Sequence, residues 1–445
     1  MSQELPEGWG IAQLCDCVDI LDGRRIPVNA DERATRHGSI PYYGATGQVG
    51  WIDGYLFDEE LLLLGEDGAP FLDKSKPISY IITGRSWVNN HAHVLRARHE
   101  LTSNRYLKHF LDSADFSSLV TGTTRLKLTQ GAMSSLPVPV APLAEQRRIV
   151  KRVDALLARV AATRERLTYV LRVLKRFRKA VLAAAYDGSF SGRAHDEFVD
   201  FGSLCADLRG GNPATSQRAA TVWPVLKSSA VRPFLIDFND RNYLASESDF
   251  AASTLIEEGD LLITRLSGSV DYVGNCAAVR ELSGQKLQIP DRIFRARLKV
   301  GFDNDYVECM FNAPQARKPL EDAAKSSAGH QRISLVDVRR VQIPKLPVDD
   351  QYKTVRHVRI LMALLTAIEK RVEAAFKLSE KLQHAILAKA FSGRLVATEA
   401  DLARREGRNY ESTNVLLDRI RSDRRRGARN EHGRLGSSGL DVESV

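Results

Sequence analysis

A duplication constrains this chain more than any other feature. Leu136-Pro-Val-Pro-Val-Ala-Pro-Leu-Ala-Glu-Gln146 returns 205 residues later as Val341-Gln-Ile-Pro-Lys-Leu-Pro-Val-Asp-Asp-Gln351, with Pro139/Pro344, Pro142/Pro347, Glu145/Asp350 and Gln146/Gln351 in register. Three further pairs fall in the same order. Leu61-Leu-Leu-Leu-Gly-Glu-Asp-Gly68 parallels Leu261-Leu-Ile-Thr-Arg-Leu-Ser-Gly268, Gly122 to Leu128 parallels Gly329 to Leu335, and Phe190-Ser-Gly-Arg193 parallels Phe391-Ser-Gly-Arg394. A period of this size means two copies of one structural unit, so the 445 residues divide by repeat before they divide by composition.

Each copy reads as a mixed domain followed by a long helix. Short β-branched and aromatic runs such as Ser79 to Thr83, Leu261 to Thr264 and Ile293 to Leu298 are punctuated by Gly and Pro, which predicts an irregular α+β domain. The expected boundaries are 1–141 for the first domain, 142–194 for a central helix, 195–344 for the second domain and 345–394 for a distal helix. Residues 395–445 are expected to be mostly flexible, with a short helix near Thr413 to Arg421.

The helices declare themselves by period. Apolar residues at Ile149, Val153, Leu156, Val160, Leu167, Val170, Leu174, Phe177 and Val181 alternate gaps of four and three, with Thr163 as the one polar member. Val358, Leu361, Leu365, Ile368, Val372, Ala375, Leu382 and Ile386 keep the same frame in the second copy, interrupted by Ser379. Such a seam predicts a coiled coil, and roughly 40 residues at about 1.5 Å each give a rod of about 60 Å. Two similar copies in one chain pack most simply about a pseudo-two-fold axis, which makes the helices antiparallel and the pair a spacer.

Charge is distributed unevenly. The chain carries +9 overall. Residues 142–193 hold 13 Lys/Arg against 4 Asp/Glu, and 345–394 hold 10 against 5. The two mixed domains are slightly acidic, with 13 against 17 in residues 1–141 and 18 against 20 in 194–344. Positive helices suit a polyanion alongside them, and the domains can read a nucleic acid only by placed side chains.

Several function classes find no support. No GxxxxGK[ST] loop, HExxH, GxSxG, EF-hand loop or Asn-Pro-Pro-Tyr motif occurs, so catalysis is expected on other chains. The longest apolar runs fall far short of a membrane span, the first ten residues lack the regions of a secretory signal, and the cysteines Cys15, Cys17, Cys205, Cys276 and Cys309 form no CxxC pair. A cytoplasmic, reduced chain without bound metal or membrane contact is expected. His91 and His93 in Asn89-Asn-His-Ala-His93 lack a third ligand nearby in sequence and read as structural.

Candidate base readers lie in Gly-flanked loops. The first domain offers Arg24 and Arg25 after Gly23, Tyr42, Tyr43 and Thr46 around Gly44, and Thr123, Thr124 and Arg125 after Gly122. The second offers Asn212, Arg265, Ser267, Arg292 and the run His330, Gln331, Arg332. Arg suits guanine and Gln or Asn suits adenine in the major groove.

These motifs together resemble the DNA specificity subunit of type I restriction-modification enzymes. The resemblance rests on Leu5-Pro-Glu-Gly-Trp9, Ile40-Pro-Tyr-Tyr-Gly-Ala-Thr-Gly47, Leu64-Gly-Glu-Asp-Gly68, Asn89-Asn-His-Ala-His93, Pro142-Leu-Ala-Glu-Gln-Arg147 and Ala388-Lys-Ala-Phe-Ser-Gly-Arg394. It implies two target recognition domains, each reading half of a bipartite, asymmetric double-stranded DNA target, held apart by the helix pair. It also implies that the helices dock two methyltransferase subunits and that ATP-dependent restriction/translocase subunits join the complex, with Glu145, Gln146 and the seam residues named above forming the subunit/spacer interface. The subunit itself would be non-catalytic and bind no cofactor, with S-adenosylmethionine, ATP and magnesium on its partners. The second hinge departs from the family's Pro-Leu-x-Glu-Gln pattern, which implies weaker hinge contacts there. The alternative is a coiled-coil scaffold of a defence system that meets DNA only incidentally.

Overall fold

The computed structural model describes residues 4–192, 195–218, 223–269, 272–282, 284–325 and 331–422. The chain forms two compact units, one made of residues 1–166 and 375–445, the other of residues 167–374. The architecture is α+β, with two mixed domains and two long helices. Among the described residues no helix is long and apolar enough to cross a membrane.

The first unit is built on a four-stranded antiparallel sheet in the order Val18–Ile20, Ala92–Ala97, Leu61–Gly65, Ser79–Ile82. Leu61 to Leu64 form its centre and are fully buried, as expected of a strand covered on both faces. A second sheet places Ile40–Gly44 between Gly47–Ile52 and Arg85–Val88. The strand pair Gly10–Gln13 and Pro137–Val140 leads into the first long helix, Leu143–Tyr186.

The second unit repeats this plan. Its main sheet runs Cys205–Gly210, Ile293–Leu298, Leu261–Thr264, Cys276–Ala278, and the pair Phe198–Asp200 and Gln342–Pro344 leads into the second long helix, Val348–Phe391. Equivalent side chains tie each helix to its domain. Tyr106 donates its hydroxyl hydrogen to the carbonyl of Pro139 and Tyr306 to that of Pro344. Gln146 donates to the carbonyls of Leu101 and Ala141 and accepts from Thr102, while Gln351 donates to Leu346 and accepts from the Asp303 amide. The second hinge therefore keeps the buried glutamine bracket despite its altered sequence.

Within each unit the helix halves run antiparallel. In the first, Ile149 and Val153 share a core with Ile386, Leu387 and Ala390, and Arg164 pairs with Glu380 further on. In the second, Arg178 pairs with Glu369 and Phe190 stacks on His357. Val160, Leu174, Val358, Leu365 and Val372 are buried as a seam requires, and Leu156, Leu167, Leu361 and Ile368 are half-buried.

Two seam assignments need correction. Phe177 is 46% exposed and Leu382 50% exposed. The other column of the four-three pattern stays inside over the same four heptads, with Val153 at 0% and Val181 at 4% exposed, so the buried stripe is narrower than the pattern and leaves Phe177 outside it. Leu382, joined by Leu378, instead borders an apolar groove of about 500 Å³ with Leu156, Val160 and Thr163. Val173 and Phe177, at the equivalent positions 205 residues earlier, are exposed on the first helix.

The segment expected to be mostly flexible is folded through residue 422. Glu399–Glu406 is helical, capped by Thr398 and ended by Gly407 in the left-handed conformation, and residues 413–422 form another helix. Leu416 and Leu417 are buried in the core of the first domain beside Leu14, Leu136 and Val138. Residues 423–445 lie outside the described residues.

Candidate nucleic-acid interface

In the first domain three loops converge. The hairpin of Val120–Thr121 and Lys127–Leu128 lies against the Glu66–Gly68 loop, joined by hydrogen bonds from Gly68 to the Leu126 carbonyl and from Leu128 to that of Glu66. Thr123 and Thr124 are exposed at its tip. The turn carrying Thr46, also exposed, stands next to Gly65, where an added Cβ would lie 3.1 Å from the Ala45 carbonyl oxygen. Thr46, Thr123 and Thr124 are thus brought to neighbouring loops, as a recognition surface needs.

The charged candidates of this domain are mostly engaged. Arg25 is half-buried against Glu66 at 2.6 Å, donates to the Ala92 carbonyl and lies 3.4 Å from Asp22. Asp22 in turn holds His93 at 2.6 Å and accepts from the Val94 amide, and the other His93 nitrogen meets the Leu128 carbonyl. Asp22, Glu66 and His93 offer ligand atoms within 4.8 Å of one another, the one such metal-sized group among the described residues, and the Arg25 guanidinium lies against both carboxylates. Arg125 is paired with Asp67 at 2.6 Å and Lys127 with Glu66 at 3.3 Å. Arg24 donates to the Leu56 carbonyl and lies over the Phe57 ring.

One expected contact cannot be made from this arrangement. Tyr42 is 1% exposed, its hydroxyl accepting from the Val28 amide and donating to the Val28 carbonyl, because strand alternation turns it inward; Tyr43 is half-buried beside Tyr80. Arg25 is half-buried and engaged by its carboxylates. Glu145 and Gln146, expected at a subunit interface, are also buried within the chain: Glu145 accepts from the Trp9 indole and the Glu399 amide. Burial pushes the Glu145 carboxyl above its ordinary value despite these donors.

The second domain gathers its candidates more tightly. Leu266–Ser267 pairs with Gln331–Arg332, setting Ser267 opposite Gln331 and Leu266 opposite Arg332. The Arg265 amide donates to the Arg292 carbonyl, and the Arg265 guanidinium donates to Asp291 and lies over the Phe294 ring. Arg265, Ser267, Arg292, Gln331 and Arg332 therefore share one edge. Asn212 is a correction: it is 5% exposed, and its amide binds the Asp249 carbonyl and Gln288. Its backbone accepts from Asp291, so it supports the loop carrying Arg292. His330 lies outside the described residues.

The sheet edge also borders a cavity of about 410 Å³ of mixed character, lined by Ser228, Ser229, Arg232, Ser267, Tyr272 and Arg292 together with Leu266 and Gly268. Arg232 and Tyr272 had no place among the expected readers, because the Ser228–Arg232 stretch has no counterpart in the matched repeat segments. Its legible signal was an arginine flanked by small residues and Pro233.

The difference between the copies is electrostatic. Where the first domain has Glu66 and Asp67 beside its hairpin, the second has Leu266 and Ser267. Among the described residues none of Arg232, Arg265, Arg292 and Arg332 is ion-paired, whereas Arg25, Arg125 and Lys127 all are.

Comparison with known proteins agrees with this architecture. A family model described as the type I restriction modification DNA specificity domain matches residues 6–171. The chain is 30% identical to the type I restriction enzyme EcoKI specificity subunit of Escherichia coli K12, over 95% of this chain and 96% of that protein. It is 25% identical to the StySPI specificity subunit of Salmonella potsdam over the same shares. A solved chain from a study of assembly and conformational transition in the type I R-M system shares the fold, with a TM-score of 0.67, 17% identity, and coverage of 88% of this chain and 99% of that one. This chain therefore belongs to the type I restriction enzyme specificity subunits, and its role is sequence-specific DNA recognition.

Proposed function

We propose that the two domains read the two halves of a bipartite, asymmetric DNA target, that the paired helices set the gap between the halves, and that the complex includes two methyltransferase subunits and ATP-dependent restriction/translocase subunits. The observation that carries this is the duplication of domain, hinge and helix, with different charge at the equivalent loops. Identical units would read a palindrome; a compensated loop cluster at Glu66–Asp67 and an uncompensated one at Leu266–Ser267 favour different half-sites. The exposed apolar pairs Leu378/Leu382 and Val173/Phe177, equivalent under the 205-residue repeat, supply two similar surfaces for two copies of one helical partner. The chain recognises and its partners catalyse; S-adenosylmethionine, ATP and magnesium belong to them.

Co-expression with the cognate methyltransferase followed by sequencing of genomic adenine methylation tests this. One bipartite motif with a fixed gap is expected. Deleting one heptad from either helix, about 10.5 Å of rise, should change the gap or abolish assembly while leaving the half-site bases unchanged. Altered bases with an unchanged gap would refute the spacer role, and an active complex without a bipartite motif would refute the whole proposal.

A further inference from the structure

We infer that the cavity between Ser228–Arg232 and Tyr272–Arg292 is the base-reading pocket of the second recognition domain, with Arg232 reading the edge of a guanine and Arg292 and Arg332 gripping the flanking phosphates. This rests on the DNA-reading role proposed above and assigns it to particular side chains.

Four observations converge. First, the cavity is large enough for a base edge, with Ser228, Ser229 and Ser267 among the residues on its walls. Second, the Arg232 guanidinium is pre-oriented: its carbon lies 4.6 Å from the centroid of the exposed Tyr272 ring, and one nitrogen donates to the Val231 carbonyl. A guanidinium held on an aromatic face loses little freedom when its planar fork meets the O6 and N7 acceptors of guanine. Third, among the described residues no carboxylate forms an ion pair with Arg232, Arg292 or Arg332. Asp240 is within electrostatic reach of Arg232 but is claimed by Lys227 at 2.8 Å and by the Ser229 hydroxyl. Fourth, Arg265 Nε and Gln331 Oε1 next to the cavity are buried with no hydrogen-bond partner among the described residues. Unsatisfied polar atoms are costly in a finished interior and ordinary at a surface awaiting a polar ligand.

The roles divide by position. Arg232 is half-buried and fixed on Tyr272, which suits base discrimination. Arg292 and Arg332 are exposed on the rim, which suits sequence-independent phosphate contact. The equivalent hairpin edge of the first domain offers no such charge, since Asp67 already holds Arg125.

The test uses the chain assembled with its methyltransferase and a set of DNA duplexes carrying the target with each base pair substituted in turn. Arg232→Gln should flatten discrimination at one G·C pair in one half-site by roughly 5- to 100-fold and leave the other half-site intact. Tyr272→Leu, at an exposed position, should relax the same base pair. Arg292→Gln should weaken binding to every duplex alike and reduce the salt dependence by about one released counterion. If the wild-type complex discriminates at both half-sites but Arg232→Gln and Tyr272→Leu keep its full profile, or lose affinity evenly across all positions, the pocket assignment is overturned while the DNA-reading role stands. If the wild-type complex discriminates at neither half-site, the role itself fails.

Discussion

The docked C-terminal segment can be tested by shortening one side chain. Leu417 is 3% exposed and belongs to the core of the first domain, although nearly 280 residues separate it from Val138 in the same core. Leu417→Ala removes three carbons, worth about 2.4 kcal/mol at about 0.8 kcal/mol per carbon, and the unfilled cavity brings the expected cost to about 2–5 kcal/mol. For a unit of this size 1 kcal/mol shifts the midpoint by roughly 2–4 °C, so melting of the first unit should fall by about 5–15 °C. Val415→Ala in the same helical turn supplies the control: Val415 is 59% exposed, and its loss should cost less than about 0.5 kcal/mol. Scanning calorimetry reads both, and tryptophan fluorescence, three of whose four sources (Trp9, Trp51 and Trp87) lie in the first unit, follows that unit in the main. Trp9 is buried, donates to Glu145, and so senses the junction where the Glu399 amide binds the same carboxylate. Equal midpoints for the two variants, or a loss confined to the second unit, would refute the claim that residues 413–422 complete the first domain.

Other expectations follow from features of each unit. Gln351→Ala should destabilise the second unit by about 1–3 kcal/mol in chemical denaturation, because it strands the Asp303 amide and the Leu346 carbonyl; a change below about 0.5 kcal/mol would count against the hinge bracket. Asp67→Asn frees Arg125, so the assembled complex should bind DNA with a steeper salt dependence, by about 0.9 in the logarithmic slope, and an unchanged slope would show Arg125 remote from phosphate. Burial holds the His109 imidazole below its usual value, with Asp154 opposing. The unfolded chain then takes up this proton first, so stability should decline as pH falls below about 6.5, and His109→Gln should lessen that decline in melting curves.

The parts legible in the sequence were those with a period. The duplication and the four-three spacing pointed to both long helices and their starts, while the first helix, expected over 142–194, ends at Tyr186. Phe177 and Leu382 escaped because the four-three spacing marks two columns, and it is the other one, from Val153 to Val181 and from Val358 to Ile386, that supplies the buried stripe. Side chains whose role depends on distant partners were not legible: Arg25 meets Glu66, 41 positions on, and Tyr42 meets Val28 only because the strand turns it inward. The loops around Arg265 and Arg332 were legible because the repeat brought them into register. Arg232, lying between repeat segments, was not. The short helix near Thr413 to Arg421 was legible, but its docking was not, because the surface that buries Leu416 and Leu417 lies at the other end of the chain.

That tail has a consequence for the order in which the molecule can be made. The second unit is one contiguous stretch, 167–374, while the first is split and needs residues from its far end. On a ribosome adding about 5–20 residues per second, the first-synthesised domain waits roughly 15–55 s between the emergence of Val138 and that of Leu417. The domain made second can close first. In the interval Leu14, Leu136 and Val138 lack their final cover, so the nascent chain carries an apolar patch for chaperones to hold until translation terminates.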